Sequence, residues 1–153
     1  MSFASLPAAL PRSVAWLGYG GLLPFLGLAF ASQIDFHHGP VWSEALLAYG
    51  AVILAFVGAL HWAFAMSLDE LDESRRTAWF AWSVVPTLVA WPAMLLPADY
   101  AVPLLVAGFL AHYLQDRRLA ARAGLPGWYL PLRLRLTAVA CLCLIAARVG
   151  AAG

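Results

Sequence analysis

The sequence predicts an all-α, polytopic membrane protein, a single membrane domain over residues 1–153 whose helices cross a bilayer five times. Three observations carry that expectation. The first is composition: 63% of the residues are hydrophobic and 11% charged, where a soluble domain is about half apolar and about a quarter charged. So few polar residues cannot cover the chain in water, and the solvent it suits is lipid. The second is a succession of uncharged runs close to the roughly 20 residues that a spanning helix needs. The third is the placing of charge. All nine basic residues are arginines. With five spans and the N-terminus in the cytoplasm, Arg12, Arg75, Arg76, Arg117, Arg118, Arg122, Arg133 and Arg135 fall inside and only Arg148 outside. That is the asymmetry of cytoplasmic arginines seen in inner-membrane proteins, and it predicts an N-in, C-out orientation.

The first expected span covers residues 14–32. Gly20, Gly21 and Pro24 lie inside it and predict a kink, which neighbouring helices tolerate in a membrane. The run also has features of a signal peptide, with Arg12 before it and Ala29-Phe30-Ala31 ahead of Ser32. Its length and its Pro and Gly content argue for a retained span. The second span, 43–68, carries Ala51, Ala55, Ala59 and Ala63 at intervals of four, a small-residue ridge suited to close helix approach. A charged loop at 69–76 follows. The third span, 77–96, contains Pro86 and Pro92, with Trp79 and Trp82 near its start at the level of an aromatic belt. Asp99 is placed as the cap of the fourth span, 100–122, which Gly124 and Pro126 terminate. The fifth, 131–149, spans only if Arg133, Arg135 and Arg148 reach the interfaces. Cys141 and Cys143, two residues apart, point to different sides of it and cannot bridge each other.

Ionisable residues inside a span mark candidate sites. His61 and His112 qualify, in the second and fourth spans, at depths that allow them to meet in the inner leaflet if those helices are neighbours. Asp116 follows His112 by one helical turn, and Arg133 and Thr137 are likewise four apart in the fifth span. Arg133 needs a counter-charge or the headgroup layer, and Asp116 is a candidate partner. The expected cluster is His61, His112, Asp116, Arg133 and Thr137, with Trp62, Trp128 and Tyr129 as its apolar walls. The alternative is that each histidine simply hydrogen-bonds a neighbouring helix and holds the bundle together. His37 and His38 with Asp35 form a possible ligand group in the first outer loop, but an exposed pair this short is ordinarily incidental.

Several segments also resemble a known family. Pro126-Gly127-Trp128-Tyr129-Leu130-Pro131-Leu132-Arg133-Leu134-Arg135-Leu136-Thr137 is similar to the P-x-W-Y-x-x-L-R-x-x-L-T pattern of the uncharacterised transmembrane protein 69 family, also called domain of unknown function 3429. Gly58-Ala59-Leu60-His61-Trp62, Trp82-Ser83-Val84-Val85-Pro86 and Asp116 resemble it too. The resemblance implies a small multi-span protein of bacterial inner membranes or mitochondria. It singles out His61, Trp62, Asp116, Trp128, Tyr129, Arg133 and Thr137, and does not extend to His112. The five-helix translocator proteins offer an analogy of architecture alone.

Net charge of +1 gives no reason to expect a nucleic-acid partner. No nucleotide loop, nucleophile elbow, HExxH or paired intramembrane carboxylates occur, so no enzyme class follows from motifs. The leading expectation is a non-enzymatic accessory or lipophilic-ligand-binding protein, with the lipid bilayer and other membrane proteins as partners. One alternative is a haem- or metal-binding redox or transport protein using His61 and His112. Another is a scaffold in a membrane complex. Arginine-only, alanine-rich usage suggests a GC-rich bacterium and hence its inner membrane.

Overall fold

The computed structural model describes residues 9–35, 37–67 and 72–150. Leu68, Asp69 and Glu70, assigned from sequence to the end of the second span and the charged loop, lie outside the described residues. The described residues fold into six α-helices and no strand: α1 (Arg12–Gly20), α2 (Leu23–Ile34), α3 (Gly39–Ser67), α4 (Glu73–Ala93), α5 (Ala98–Ala123) and α6 (Tyr129–Gly150).

The first expected span is therefore two helices, broken at Gly21-Leu22 where the glycines and Pro24 predicted a kink. Pro24 sits in the first turn of α2, where its missing N–H costs nothing. The Tyr49 hydroxyl of α3 donates to the Gly21 carbonyl at 2.9 Å, meeting the hydrogen-bonding need that the break creates. Elsewhere the helices run longer at their starts than expected. α4 begins at Glu73 because Asp72 caps it, accepting from the Arg75 N–H at 2.8 Å. It ends at Ala93, soon after Pro92. Gly124 closes α5 in the left-handed conformation (φ 58°), as the Gly-Leu-Pro sequence predicts.

Sequence neighbours pack as spatial neighbours. α2, α3, α4, α5 and α6 follow one another around the bundle, α6 returns to α2, and α3 also touches α5 and α6. α2 to α5 each turn a stripe of three-and-four spacing inward: Phe25, Ala29 and Ser32 on α2; Leu54, Val57, His61 and Ala65 on α3; Trp79, Ser83, Pro86 and Ala90 on α4; Leu105, Phe109, His112, Asp116 and Leu119 on α5. Large apolar side chains point the other way, among them Phe30, Leu88 and Leu142, each more than 60% exposed. An apolar exterior around a packed interior is what a lipid solvent selects.

Three segments are long and apolar enough to cross a membrane among the described residues: Arg12–Ile34, Gly39–Ser67 and Tyr129–Val149. α4 and α5 are of similar length, 21 and 26 residues. Their Trp, Pro, Tyr and His residues and charged ends lower their mean hydropathy.

Three expectations are corrected. The Ala51–Ala63 ridge is not the packing seam: Ala59 and Ala63 are exposed. At 3.6 residues per turn, steps of four drift by about 40° each and leave the buried stripe. Close approach occurs instead at Gly58, where an added Cβ would lie 2.9 Å from the Pro86 ring and from the Ser83 carbonyl of α4. Trp79 is buried, 4% exposed, rather than in an interfacial belt. Asp99 does not cap α5, whose N-cap is Pro97; it pairs with Arg148 of α6, Nε–Oδ1 2.6 Å. As expected, Cys141 and Cys143 do not bridge each other; both are buried, because α6 is covered on more than one side.

Candidate functional site

The interior has three layers. A large apolar core joins Phe25, Leu54, Val57, Leu105, Phe109, Ala140 and Leu144. A smaller one at the opposite end joins Ala65, Trp79 and Leu119. Between them the stripes of α3 and α5 turn polar. On α3, His61 follows Leu54 and Val57 and precedes Ala65; on α5, His112 and Asp116 lie between Phe109 and Leu119. Helical periodicity alone aims these side chains inward, since each occupies the position that a core apolar residue would have.

The layer is fully buried: His61, His112 and Asp116 are each 0% exposed, Arg133 7% and Thr137 4%. Asp116 is its centre. One oxygen, Oδ2, accepts from Arg133 Nε at 2.7 Å. The other, Oδ1, accepts from the Tyr129 hydroxyl at 3.1 Å. The same Oδ1 lies 3.8 Å from both His61 Nε2 and His112 Nε2. The two imidazoles meet edge to face with centroids 4.8 Å apart. Both nitrogens of His61 and Nε2 of His112 lack a hydrogen-bond partner, an uncommon state for buried polar atoms.

The expected cluster of His61, His112, Asp116 and Arg133 thus lies together in space, and Tyr129 bonds its carboxylate rather than only walling it. Thr137 is buried one turn beyond Arg133. Trp128 packs on Tyr129, ring centroids 6.4 Å apart. Trp62 is not part of the group: it is 49% exposed and meets Phe80 edge to face, because one residue past His61 is about 100° round the helix. Trp82 belongs there although the sequence pointed elsewhere. Its indole N–H reaches His112 Nδ1 at 3.4 Å. The clue was its spacing from Trp79 and Pro86 on the inward stripe of α4. The histidine rings stand too close for a macrocycle between them, so a haem axially held by both is excluded by geometry. His37 does not join the outer-loop group. There, Asp35 accepts from Trp42 Nε1 at 3.1 Å and lies 3.0 Å from His38 Nδ1.

Beside the polar layer is a cavity of about 510 Å³ between α1, α2, α3, α5 and α6. Its walls are apolar, including Leu17, Phe25, Phe56, Val57 and Leu136, and Gly18 and Gly21 widen it. Tyr129, Arg133 and Thr137 supply its polar end, with Trp128 beside them. Arg133 therefore faces two ways, toward Asp116 and toward the cavity.

The sequence is 33% identical over 142 residues to transmembrane protein 69 of Xenopus tropicalis, covering 88% of this chain and 53% of that protein. It is 27% identical to transmembrane protein 69 of Mus musculus, covering 85% of this chain and 53% of that one. The chain spans about half the length of these curated relatives. No solved structure matches it. The family described as "Protein of unknown function (DUF3429)" matches residues 10–149, nearly the whole of the described bundle, and the chain belongs to that family.

Proposed function

We propose that this chain is a non-enzymatic accessory protein of the membrane whose cavity holds a lipophilic molecule with a polar end, and that it does so in service of a larger membrane complex. The carrying observation is the 510 Å³ apolar cavity that ends on Tyr129, Arg133 and Thr137. An apolar pocket with a few convergent polar groups is the usual form of a small-molecule site. The guanidinium gives one N–H to Asp116 and has others for a ligand oxygen. Asp116 fixes its position in advance, which lowers the ordering cost of binding. The ligand class that suits this end is an amphiphile carrying a carbonyl, carboxylate or phosphate oxygen.

The topology belongs to the same proposal: five spans, α1 and α2 together making the first, with the N-terminus inside and the C-terminus outside, in a bacterial inner membrane. Arginine placement supports the orientation. The side-by-side packing and similar length of all five units support the count. A reporter fused after Gly153 distinguishes the possibilities: activity of a periplasmic reporter is expected, and activity of a cytoplasmic one would overturn the topology.

The binding reading is tested by extracting the purified protein and quantifying bound lipophiles against bulk lipid. Arg133→Leu, which removes the polar end, is expected to abolish enrichment. Equal enrichment in that variant would refute the reading.

A further inference from the structure

We propose that His61, His112 and Asp116 form a binding site for a divalent transition-metal ion of the Zn²⁺ class, separate from the lipophile cavity and next to it. Three independent helix positions bring one donor atom each to a common point. His61, His112 and Asp116 atoms lie within 4.8 Å of one another, all buried. In most buried polar clusters the donors are spent on each other. Here three histidine nitrogens are not: His61 has two unpartnered ring nitrogens and His112 has an unpartnered Nε2, at zero exposure. Leaving such atoms unpaired costs free energy, of the order of 1–3 kcal/mol each. An ion repays that cost in a way that a hydrogen bond to Asp116 does not, since both Nε2–Oδ1 separations are 3.8 Å, too long for one.

The separations suit a metal better. Tetrahedral ligands at roughly 2.0–2.1 Å from Zn²⁺ stand about 3.4 Å apart. The 3.8 Å His–Asp separations, within a group that spans up to 4.8 Å, close to that value by inward rotation of the two rings. Two imidazoles and one carboxylate are a donor set of borderline hardness, favouring zinc, cobalt or nickel over calcium or magnesium. Asp116 is already oriented as a ligand should be: Arg133 holds Oδ2, and Oδ1, which also accepts from the Tyr129 hydroxyl, is turned to the histidines. Ligation asks His112 to carry its proton on Nδ1. The long contact with Trp82 then gives way, and the Val57 carbonyl beside the ring becomes the acceptor. Three protein ligands leave a fourth position for a small anion or water, and an anion there balances the charge that Arg133 adds. The cavity end at Tyr129 and Arg133 is the entry path.

The test is Co²⁺ uptake by the full-length protein in detergent, read by metal analysis and by the visible absorption of tetrahedral cobalt. About one Co²⁺ per chain is expected, displaced by Zn²⁺. His61→Gln, His112→Gln and Asp116→Asn should each lower uptake at least tenfold, while His38→Gln leaves it unchanged. Each variant is first checked for a monodisperse elution profile, and His61→Gln, which leaves the Asp116–Arg133 pair intact, guards against an Asp116 variant that fails to fold. Absence of cobalt absorption in the wild-type protein would overturn the proposal. So would uptake that survives in the folded His61 and His112 variants but is lost in His38→Gln, which would place the ion in the outer loop.

Discussion

α5 and α6 are joined by a carboxylate–guanidinium pair at each end, and the two pairs are opposites in all but chemistry. Asp99 and Arg148 meet near the start of α5, at 62% and 33% side-chain exposure. Asp116 and Arg133 meet 17 residues of α5 further on, at 0% and 9%. Water can solvate the first pair whether or not it forms, so its net worth is small. The second has no such alternative. Desolvation makes each partner depend on the other, and removing one strands a charge in an apolar interior. The same two residue types thus serve as a surface tie at one end and as the fixed centre of a polar layer at the other. Burial, not chemistry, distinguishes them.

The largest effect should come from breaking the buried pair. Asp116→Ala is expected to destabilise the protein by about 3–5 kcal/mol, read as a fall in the thermal midpoint in detergent. A loss no greater than that of an exposed pair would break the comparison. Next comes the contact that sets the register of the layer. Gly58 lies one turn before His61 and touches Pro86. Gly58→Ala should cost about 1–3 kcal/mol, as overpacking does where no flexible side chain can yield. A neutral result would show that α3 and α4 can separate without disturbing His61. Asp99→Ala or Arg148→Ala should cost only about 0.2–1 kcal/mol, and added salt should shrink that difference. The smallest effect is in acid. The Trp42 indole N–H holds the Asp35 carboxyl below its ordinary value of 3.8. A lowered folded-state value adds stability above pH 3.8 that is lost as pH falls through the folded value. Melting curves of wild type and Asp35→Asn should therefore diverge above about pH 4 and converge below it.

Much of this was legible along the chain, and the reason is local. Charge-free runs and their Pro, Gly and Asp punctuation mark helices because a bilayer penalises any other backbone there. The meeting of Asp116 with Arg133 followed from depth and charge, since few alternatives exist for an arginine inside a span. What depended on rotation about a helix axis was not legible. Trp62 and Trp82 were both assigned by position along the membrane normal. Each faces a different way from that expected, Trp62 toward Phe80 and away from the polar layer, Trp82 inward on His112. The alanine ridge failed for the same reason, as a regular spacing of four is not the helical period. The cavity could not be read at all, because it arises from the Gly21 break between α1 and α2 combined with the placement of α6, a relation between distant segments.

The central claim is that the cavity beside Arg133 holds a lipophilic molecule, and filling the cavity tests it most directly. Gly18 lines the cavity, and a Cβ there would rest 3.5 Å from Leu136 in ordinary contact, so a side chain extended from it enters the space without straining the backbone. The measurement is native mass spectrometry of wild type and Gly18→Phe released from the same detergent. The account predicts a discrete bound mass on the wild-type chain that is missing from Gly18→Phe, with both proteins equally monodisperse. A wild-type chain with no discrete adduct, or the same adduct on both chains, would contradict it.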